Sequence, residues 1–148
     1  MNITSHLHQQ HVDCDDLFVA MEEAVHQKSW GTVESTMQRF INATEAHFRR
    51  EETLLFPAFE AATGSALGPT QMMRVEHAQM RSLFDQMTDA LDQKDDRAIA
   101  GAAETLLILM QQHNMKEENI LYPMCDRALA ADQVKHILAQ ESEDAVLA

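Results

Sequence analysis

The sequence predicts an all-α protein, an up-down-up-down four-helix bundle with an internal pseudo-two-fold repeat and a short C-terminal helix. Three observations lead to this prediction. The 148 residues include only 4 glycines and 3 prolines, and such a scarcity of helix breakers favours helix over sheet. Long stretches carry apolar residues three or four positions apart, as amphipathic helices require. The chain also repeats itself once, at a spacing of 66 residues.

The helices are delimited by a few breakers. The clearest are SWGT (29–32) and TGSALGP (63–69), followed by the polar DQKDD (92–96) and by Pro123. Long helices are therefore expected at about 4–28, 32–56, 69–92 and 95–122, with a shorter one near 131–141. Pro69 suits the first turn of the third helix, whereas Pro57 is expected to stop the second. Short links between long helices favour antiparallel neighbours.

The repeat aligns positions 4–62 with positions 70–128 without a gap. The aligned pairs include His11 with His77, His47 with His113, Glu51 with Glu117, Glu52 with Glu118, and Pro57 with Pro123. Two copies of this length do not make a solenoid. Residues 1–148 are therefore interpreted as one domain, with helical hairpins at about 4–62 and 70–128 and a C-terminal extension at 129–148.

Charge and composition exclude several classes of partner. Lys and Arg total 11 against 24 Asp and Glu, a formal net charge of −13, which repels nucleic acid and anionic lipid. No apolar run approaches the roughly 20 residues of a membrane span, and the N-terminus lacks the layout of a signal peptide. We therefore expect a cytoplasmic protein, in which Cys14 and Cys125 are buried small hydrophobic residues rather than a disulfide.

Six polar residues fall on the apolar faces of the predicted helices: His11, His47, Glu51, His77, His113 and Glu117. A single histidine in such a position is usually a core residue with a hydrogen-bond partner. Six together are costly, because each buried polar group without a strong partner destabilises the fold by several kcal/mol. No Lys or Arg lies among them as a counterion, and the repeat arranges them in symmetric pairs. A bound cation would satisfy them all.

The donor set indicates which metals would suit. Imidazole and carboxylate without thiolate favour iron, manganese, zinc or cobalt. Two carboxylates facing across a bundle can each bridge two metal ions, and four histidines can then cap them, two on each ion. A single zinc ion takes four ligands rather than six. A dinuclear site with iron or manganese fits best.

These residues resemble the hemerythrin-like (HHE cation-binding) domain family. The resemblance covers about residues 4–128 and rests on His11, on HFRREETLLFP from His47, on EHAQMR around His77, and on HNMKEENILYP from His113. It implies a four-helix bundle with a non-haem, carboxylate-bridged centre of two iron ions, ahead of manganese or zinc. Carried over by position, His11 and His47 would bind one iron, His77 and His113 the other, and Glu51 and Glu117 would bridge them.

The chain departs from the oxygen-carrying hemerythrins at one position. Those proteins have a fifth histidine four residues after the histidine of the third helix, where this chain has Arg81, which cannot bind a metal. The more open site favours reactivity or sensing over reversible O₂ transport. His8 and Glu118 remain alternative ligands. Glu52 and Glu118 are expected on the helix flanks, and Tyr122 is expected to pack rather than take part in redox chemistry.

The function expected from this resemblance is that of a di-iron protein that binds, senses or reacts with O₂, NO or peroxide, for example in stress defence. One alternative is an iron- or oxygen-sensing module, or a metal-storage protein, without turnover. Another is the repair of iron–sulfur clusters after nitrosative or oxidative stress. The expected partner is a small diatomic molecule or peroxide, not nucleic acid or a membrane.

Overall fold

The computed structural model describes residues 2–147, with side chains described as far as residue 140. Its helices are α1 (Ile3–His26), α2 (Trp30–Arg50), α3 (Phe56–Thr63), α4 (Pro69–Asp92), α5 (Asp96–Lys116), α6 (Tyr122–Ala128) and α7 (Ala131–Leu147). Two π-helical segments, π1 (Glu51–Leu55) and π2 (Glu117–Leu121), continue α2 into α3 and α5 into α6. Residues 2–147 contain no strand, and the all-α prediction is confirmed.

The two hairpins turn in the same way. α1 packs along α2, and α4 packs along α5. Each turn has a lysine in the left-handed region, Lys28 with φ 55° and Lys94 with φ 51°. In each turn the residue after the lysine donates its N–H to a carbonyl five positions back, Ser29 to Ala24 and Asp95 to Ala90, as in a Schellman cap. The repeat in sequence is thus also a repeat in backbone geometry.

The expectation that Pro57 stops the second helix is wrong. The helix runs on through Pro57 to Thr63, and the equivalent helix runs on through Pro123 to Ala128. Each proline lies in the first turn after a π-helical segment, where the hydrogen-bonding register has shifted by one residue. In π1 the N–H of Phe56 donates to the Glu51 carbonyl. The Glu52 carbonyl, five positions before Pro57, lies 3.5 Å from Nη2 of Arg74 instead. The helix therefore tolerates a residue without an N–H.

An acidic residue after each proline binds the start of the other hairpin. Asp126 accepts hydrogen bonds from the backbone N–H of Ile3 (2.8 Å) and from the N–H and hydroxyl of Thr4 (3.1 and 2.7 Å). In the other copy, Glu60 accepts from the hydroxyl of Thr70 at 2.7 Å. Asp126 thus satisfies two backbone donors of a first helical turn that have no partner within the helix, whereas Glu60 binds only a side-chain hydroxyl of the equivalent turn.

Asp126→Ala is expected to lower the stability of the fold by about 1–2 kcal/mol, because it leaves two backbone donors of α1 without their acceptor. A loss of that size corresponds to a decrease in melting temperature of roughly 3–8 °C. Thermal and urea unfolding followed by circular dichroism would measure it. Asp85→Ala, which removes an exposed acid on α4, is the control and should leave the transition unchanged. An unchanged urea midpoint for Asp126→Ala would contradict this role.

Two apolar clusters occupy the interior. The larger contains Phe18, Met21, Phe40, Phe84 and Met87, and the smaller contains Ile3, Leu7, Leu55, Phe59 and Ile137. In α1 and α4 the residues of the smaller cluster precede those of the larger one, whereas after α2 and α5 they follow in the π segments and the next helices. Buried polar residues lie between the two sets and form a polar layer. Cys14 and Cys125 are buried free thiols, as predicted. None of the described helices has the length and apolar character needed to cross a membrane.

Candidate metal centre

The six predicted residues lie together in the polar layer between the two apolar clusters. All six are almost completely buried, with exposures of 0–4%. Because His11 and His77 come from α1 and α4 while His47 and His113 come from α2 and α5, four different helices contribute to the layer. The two glutamates begin the π segments.

Their donor atoms form two groups, each compact enough for one metal ion. Glu51, His77, His113 and Glu117 make one group, and His11, His47 and Glu117 make the other. Within each group the ligand atoms lie within 4.8 Å of one another. We call these the His77/His113 half and the His11/His47 half of the cluster.

Each glutamate lies between the two halves. Oε1 of Glu51 is 3.3 Å from Nε2 of His47 and 3.2 Å from Nε2 of His77. Oε1 of Glu117 is 3.1 Å from Nε2 of His11 and 3.2 Å from Nε2 of His113. Each carboxylate therefore contacts one imidazole of each half, which is the placement that a bridging ligand requires.

Every imidazole uses its other nitrogen, Nδ1, to donate a hydrogen bond away from the cluster. His11 donates to Glu118 (2.7 Å) and His77 to Glu52 (2.8 Å). His47 donates to Gln10 (2.6 Å) and His113 to Glu76 (2.8 Å). These contacts orient each ring so that Nε2 faces the cluster, as is usual for histidines that bind metal.

The π segments explain how two consecutive glutamates serve two different purposes. Glu51 is completely buried and points into the cluster, whereas the side chain of Glu52 is 21% exposed and reaches His77 on the neighbouring helix. Glu117 and Glu118 repeat this arrangement toward His11. The prediction that Glu52 and Glu118 lie outside the cluster agrees with these positions.

Several buried nitrogen and oxygen atoms that could bind a metal have no hydrogen-bond partner. They include Nε2 of His77 and of His113, Oε1 of Glu51, and Oε2 of Glu117. With Nδ1 donating outward, Nε2 of a neutral imidazole presents a lone pair, and a carboxylate oxygen presents only lone pairs. Lone pairs that converge in a buried space need a positive charge between them. The residues present therefore fit a metal cation.

The titration of these groups also favours positive charge in the cluster. Burial by itself would lower the pKa of His113, but the carboxylates of Glu117, Glu76 and Glu51 together outweigh that effect and the pKa is raised to about 10. Burial would raise the pKa of Glu51, yet His47 holds it well below its usual range. Outside the cluster, the hydrogen bond from His113 lowers the pKa of Glu76 to about 2. Glu51 thus stays ionised and attracts a cation.

Comparison with known families agrees with this donor set. The family model of the hemerythrin HHE cation-binding domain matches residues 2–125. The chain belongs to this family. Neither the curated proteins nor the solved structures contained a match. The family resemblance inferred from the sequence is confirmed, and the protein is a hemerythrin-like domain whose buried cluster of histidine and glutamate could bind metal.

Arg81 stands at the position of the carriers' fifth histidine and serves this hemerythrin domain in another way. Its guanidinium makes two hydrogen bonds of 2.9 Å to Glu52 and one of 2.8 Å to Glu45. Arg81 therefore binds two glutamates of the neighbouring hairpin. Because Glu52 accepts from His77, Arg81 fixes the carboxylate that orients a cluster histidine. The two alternative ligands, His8 and Glu118, pair with each other, and the side chain of His8 is more than half exposed.

The hydroxyl of Tyr122 was not expected in the hemerythrin cluster. It lies 2.6 Å from Oε2 of Glu51 and 2.9 Å from Oε1 of Glu117. It is also 3.2 Å from Nε2 of His11 and 3.4 Å from Nε2 of His47. The sequence carried one signal for it: the repeat mate of Tyr122 is Phe56, so the hydroxyl breaks the symmetry of the pair.

Proposed function

We propose that this hemerythrin domain holds two iron ions in its histidine–glutamate cluster and there binds, senses or reacts with O₂, NO or peroxide. The observation that carries the proposal is the pair of buried ligand groups that share Glu117. In one of them, atoms of Glu51, His77, His113 and Glu117 have no hydrogen-bond partner. His11 and His47 would hold one ion, His77 and His113 the other, and Glu51 and Glu117 would bridge them. Bound iron would supply the electron transfer that these side chains cannot perform.

The burial of the cluster supports a small partner. The six residues are at most 4% exposed, so a large substrate could not contact them without partial unfolding. A diatomic molecule or peroxide can reach such a site through ordinary fluctuations of the helices. The ring of Phe48 stacks on His77 at 3.9 Å between centroids and helps to exclude water from the His77/His113 half, which strengthens the electrostatic interactions there.

Four histidines favour reaction or sensing over transport. Arg81 is engaged by Glu45 and Glu52 and brings no nitrogen ligand to the cluster, so the set of histidines is balanced between the halves. Each ion would then have room for a further ligand. This supports chemistry on a small molecule such as peroxide, and we place that chemistry in the cytoplasm and in a stress response as part of the proposal.

Iron content and consumption of a small oxidant test the proposal. The full chain would be loaded anaerobically with ferrous iron, desalted, and assayed for metal, with about two iron ions per chain expected. Peroxide and NO would then be added separately, and their consumption followed together with the visible spectrum. His113→Ala should lose metal and consumption. His136→Ala, which alters an exposed histidine, is the matched control. A colourless protein that retains no more than a single zinc ion would refute the proposal.

A further inference from the structure

Tyr122 differs from every other residue around the cluster because it brings a hydroxyl into it. It is the single tyrosine of the chain and is completely buried at the start of α6. Its ring stacks against His11 with 5.7 Å between centroids and 27° between planes. Its position is therefore held by packing as well as by hydrogen bonds.

Only the His11/His47 half has such an oxygen. The repeat places Phe56 where Tyr122 stands in the second copy, and the Phe56 ring stacks on His77 with 5.8 Å between centroids. Each half of the cluster thus has two histidines beside the two glutamates, but only the His11/His47 half also has the hydroxyl oxygen of Tyr122.

The distances around this oxygen are those expected between ligands of one ion. Two neighbouring ligand atoms, each bonded to the same cation at about 2.1 Å, lie about 3.0–3.4 Å apart. The Tyr122 oxygen is 3.2 Å from Nε2 of His11, 3.4 Å from Nε2 of His47 and 2.9 Å from Oε1 of Glu117. Nε2 of His11 and Oε1 of Glu117 are themselves 3.1 Å apart.

A hydroxyl proton alone does not satisfy this arrangement. The phenol can donate to one acceptor at a time, and Oε2 of Glu51 at 2.6 Å is the closest. The rings of His11 and His47 donate through Nδ1 to Glu118 and Gln10, so Nε2 of both rings is directed at the Tyr122 oxygen. A cation among these atoms would be contacted by Nε2 of both rings and by the Tyr122 oxygen.

We propose that the Tyr122 oxygen is a ligand of the metal ion held by His11 and His47. This inference rests on the proposed function. On binding, the O–H bond of the phenol breaks, an oxygen–metal bond forms, and the proton leaves to solvent, as protons do when a metal displaces them from its ligands. The His11/His47 half then carries one more anionic oxygen than the His77/His113 half, and the two ions are chemically distinct.

Spectroscopy of the ferric protein tests the inference. The full chain loaded with iron and oxidised should show a phenolate-to-iron charge-transfer band in the visible region and tyrosinate vibrations under resonance Raman excitation in that band. Because the chain has one tyrosine, these vibrations can arise only from Tyr122, and ring-deuterated tyrosine should shift them. Tyr122→Phe, which copies the residue of the other half, should lose the band and the vibrations.

The outcomes separate this inference from the proposed function. Iron bound at about two ions per chain without tyrosinate vibrations would overturn the ligand assignment and leave the proposed function standing. Absence of bound iron in the wild-type protein would overturn both. If Tyr122→Phe does not fold, the isotope shift in the wild-type protein still decides the question. A band that persists unchanged in a folded, iron-loaded Tyr122→Phe protein would also overturn the assignment.

Discussion

Glu117→Ala and Glu51→Ala are each expected to abolish stable metal binding. Each carboxylate lies within 3.3 Å of an imidazole nitrogen from both halves of the cluster, so its removal takes an anionic donor from both ions. We expect the affinity for iron to fall by more than about 100-fold, beyond the loss typical of a residue that only orients a ligand. Metal content after desalting, and titration with ferrous iron under anaerobic conditions, would measure the effect.

Three further variants test whether the loss of metal depends on the charge of the carboxylate, on its size and on its place in the cluster. Glu117→Gln keeps the size of the side chain and removes its charge, so it should lose metal as Glu117→Ala does. Glu52→Ala removes the acceptor of His77 and should retain metal with an affinity lowered by about 10–100-fold. Glu104→Ala changes an exposed acid on α5 and should have no effect. Equal losses for Glu51→Ala, Glu117→Ala and Glu52→Ala would contradict the assignment of the two bridging carboxylates.

Removal of metal by a chelator is expected to lower the melting temperature by roughly 10–15 °C. A ligand that binds only the folded chain, present at about 1,000 times its dissociation constant, stabilises the fold by about 4 kcal/mol, and one kcal/mol corresponds to about 2–4 °C in a protein of this size. The structural reason is the set of buried atoms of His77, His113, Glu51 and Glu117 that lack hydrogen-bond partners. Differential scanning calorimetry before chelation, after it, and after reloading with iron would measure the shift.

The same melting experiment has a matched pair of variants. His136→Ala should remain as sensitive to the chelator as the wild type, because His136 is exposed. His113→Ala should melt at one temperature whether or not iron and chelator are present. Identical melting of iron-loaded and iron-free wild type would argue against the cluster as the binding site. A large shift without consumption of peroxide or NO would favour a sensor over an enzyme.

The helical pattern and the repeat predict much of this molecule. Residues three or four apart share a helix face, and this spacing was enough to predict that His47 and Glu51 both face the interior of the bundle. The alignment of the two copies then paired each of these with its counterpart, and the structure brings all six predicted residues together. The family and the arrangement of these residues both point to metal binding.

The π segments could not be predicted from the hydrophobic pattern. A shift of one residue in backbone hydrogen bonding leaves the spacing of apolar residues almost unchanged, and Pro57 alone is a reasonable sign of a helix end. The contacts of Gln10 with His47 and of Glu76 with His113 could not be predicted from the sequence either. They join different helices, and a pattern along one helix does not indicate which residue of a neighbour it will meet.

Two of the glutamates that orient the cluster histidines each belong to the opposite hairpin from the histidine they contact. Glu118 of the second hairpin holds His11 of the first, and Glu52 of the first holds His77 of the second. A single hairpin therefore contains histidines whose acceptors belong to its twin, and neither copy is complete alone. Two identical hairpins could have supplied these contacts to each other as a symmetric dimer. Because the two copies lie in one chain, equivalent positions can carry different residues, as Phe56 and Tyr122 do.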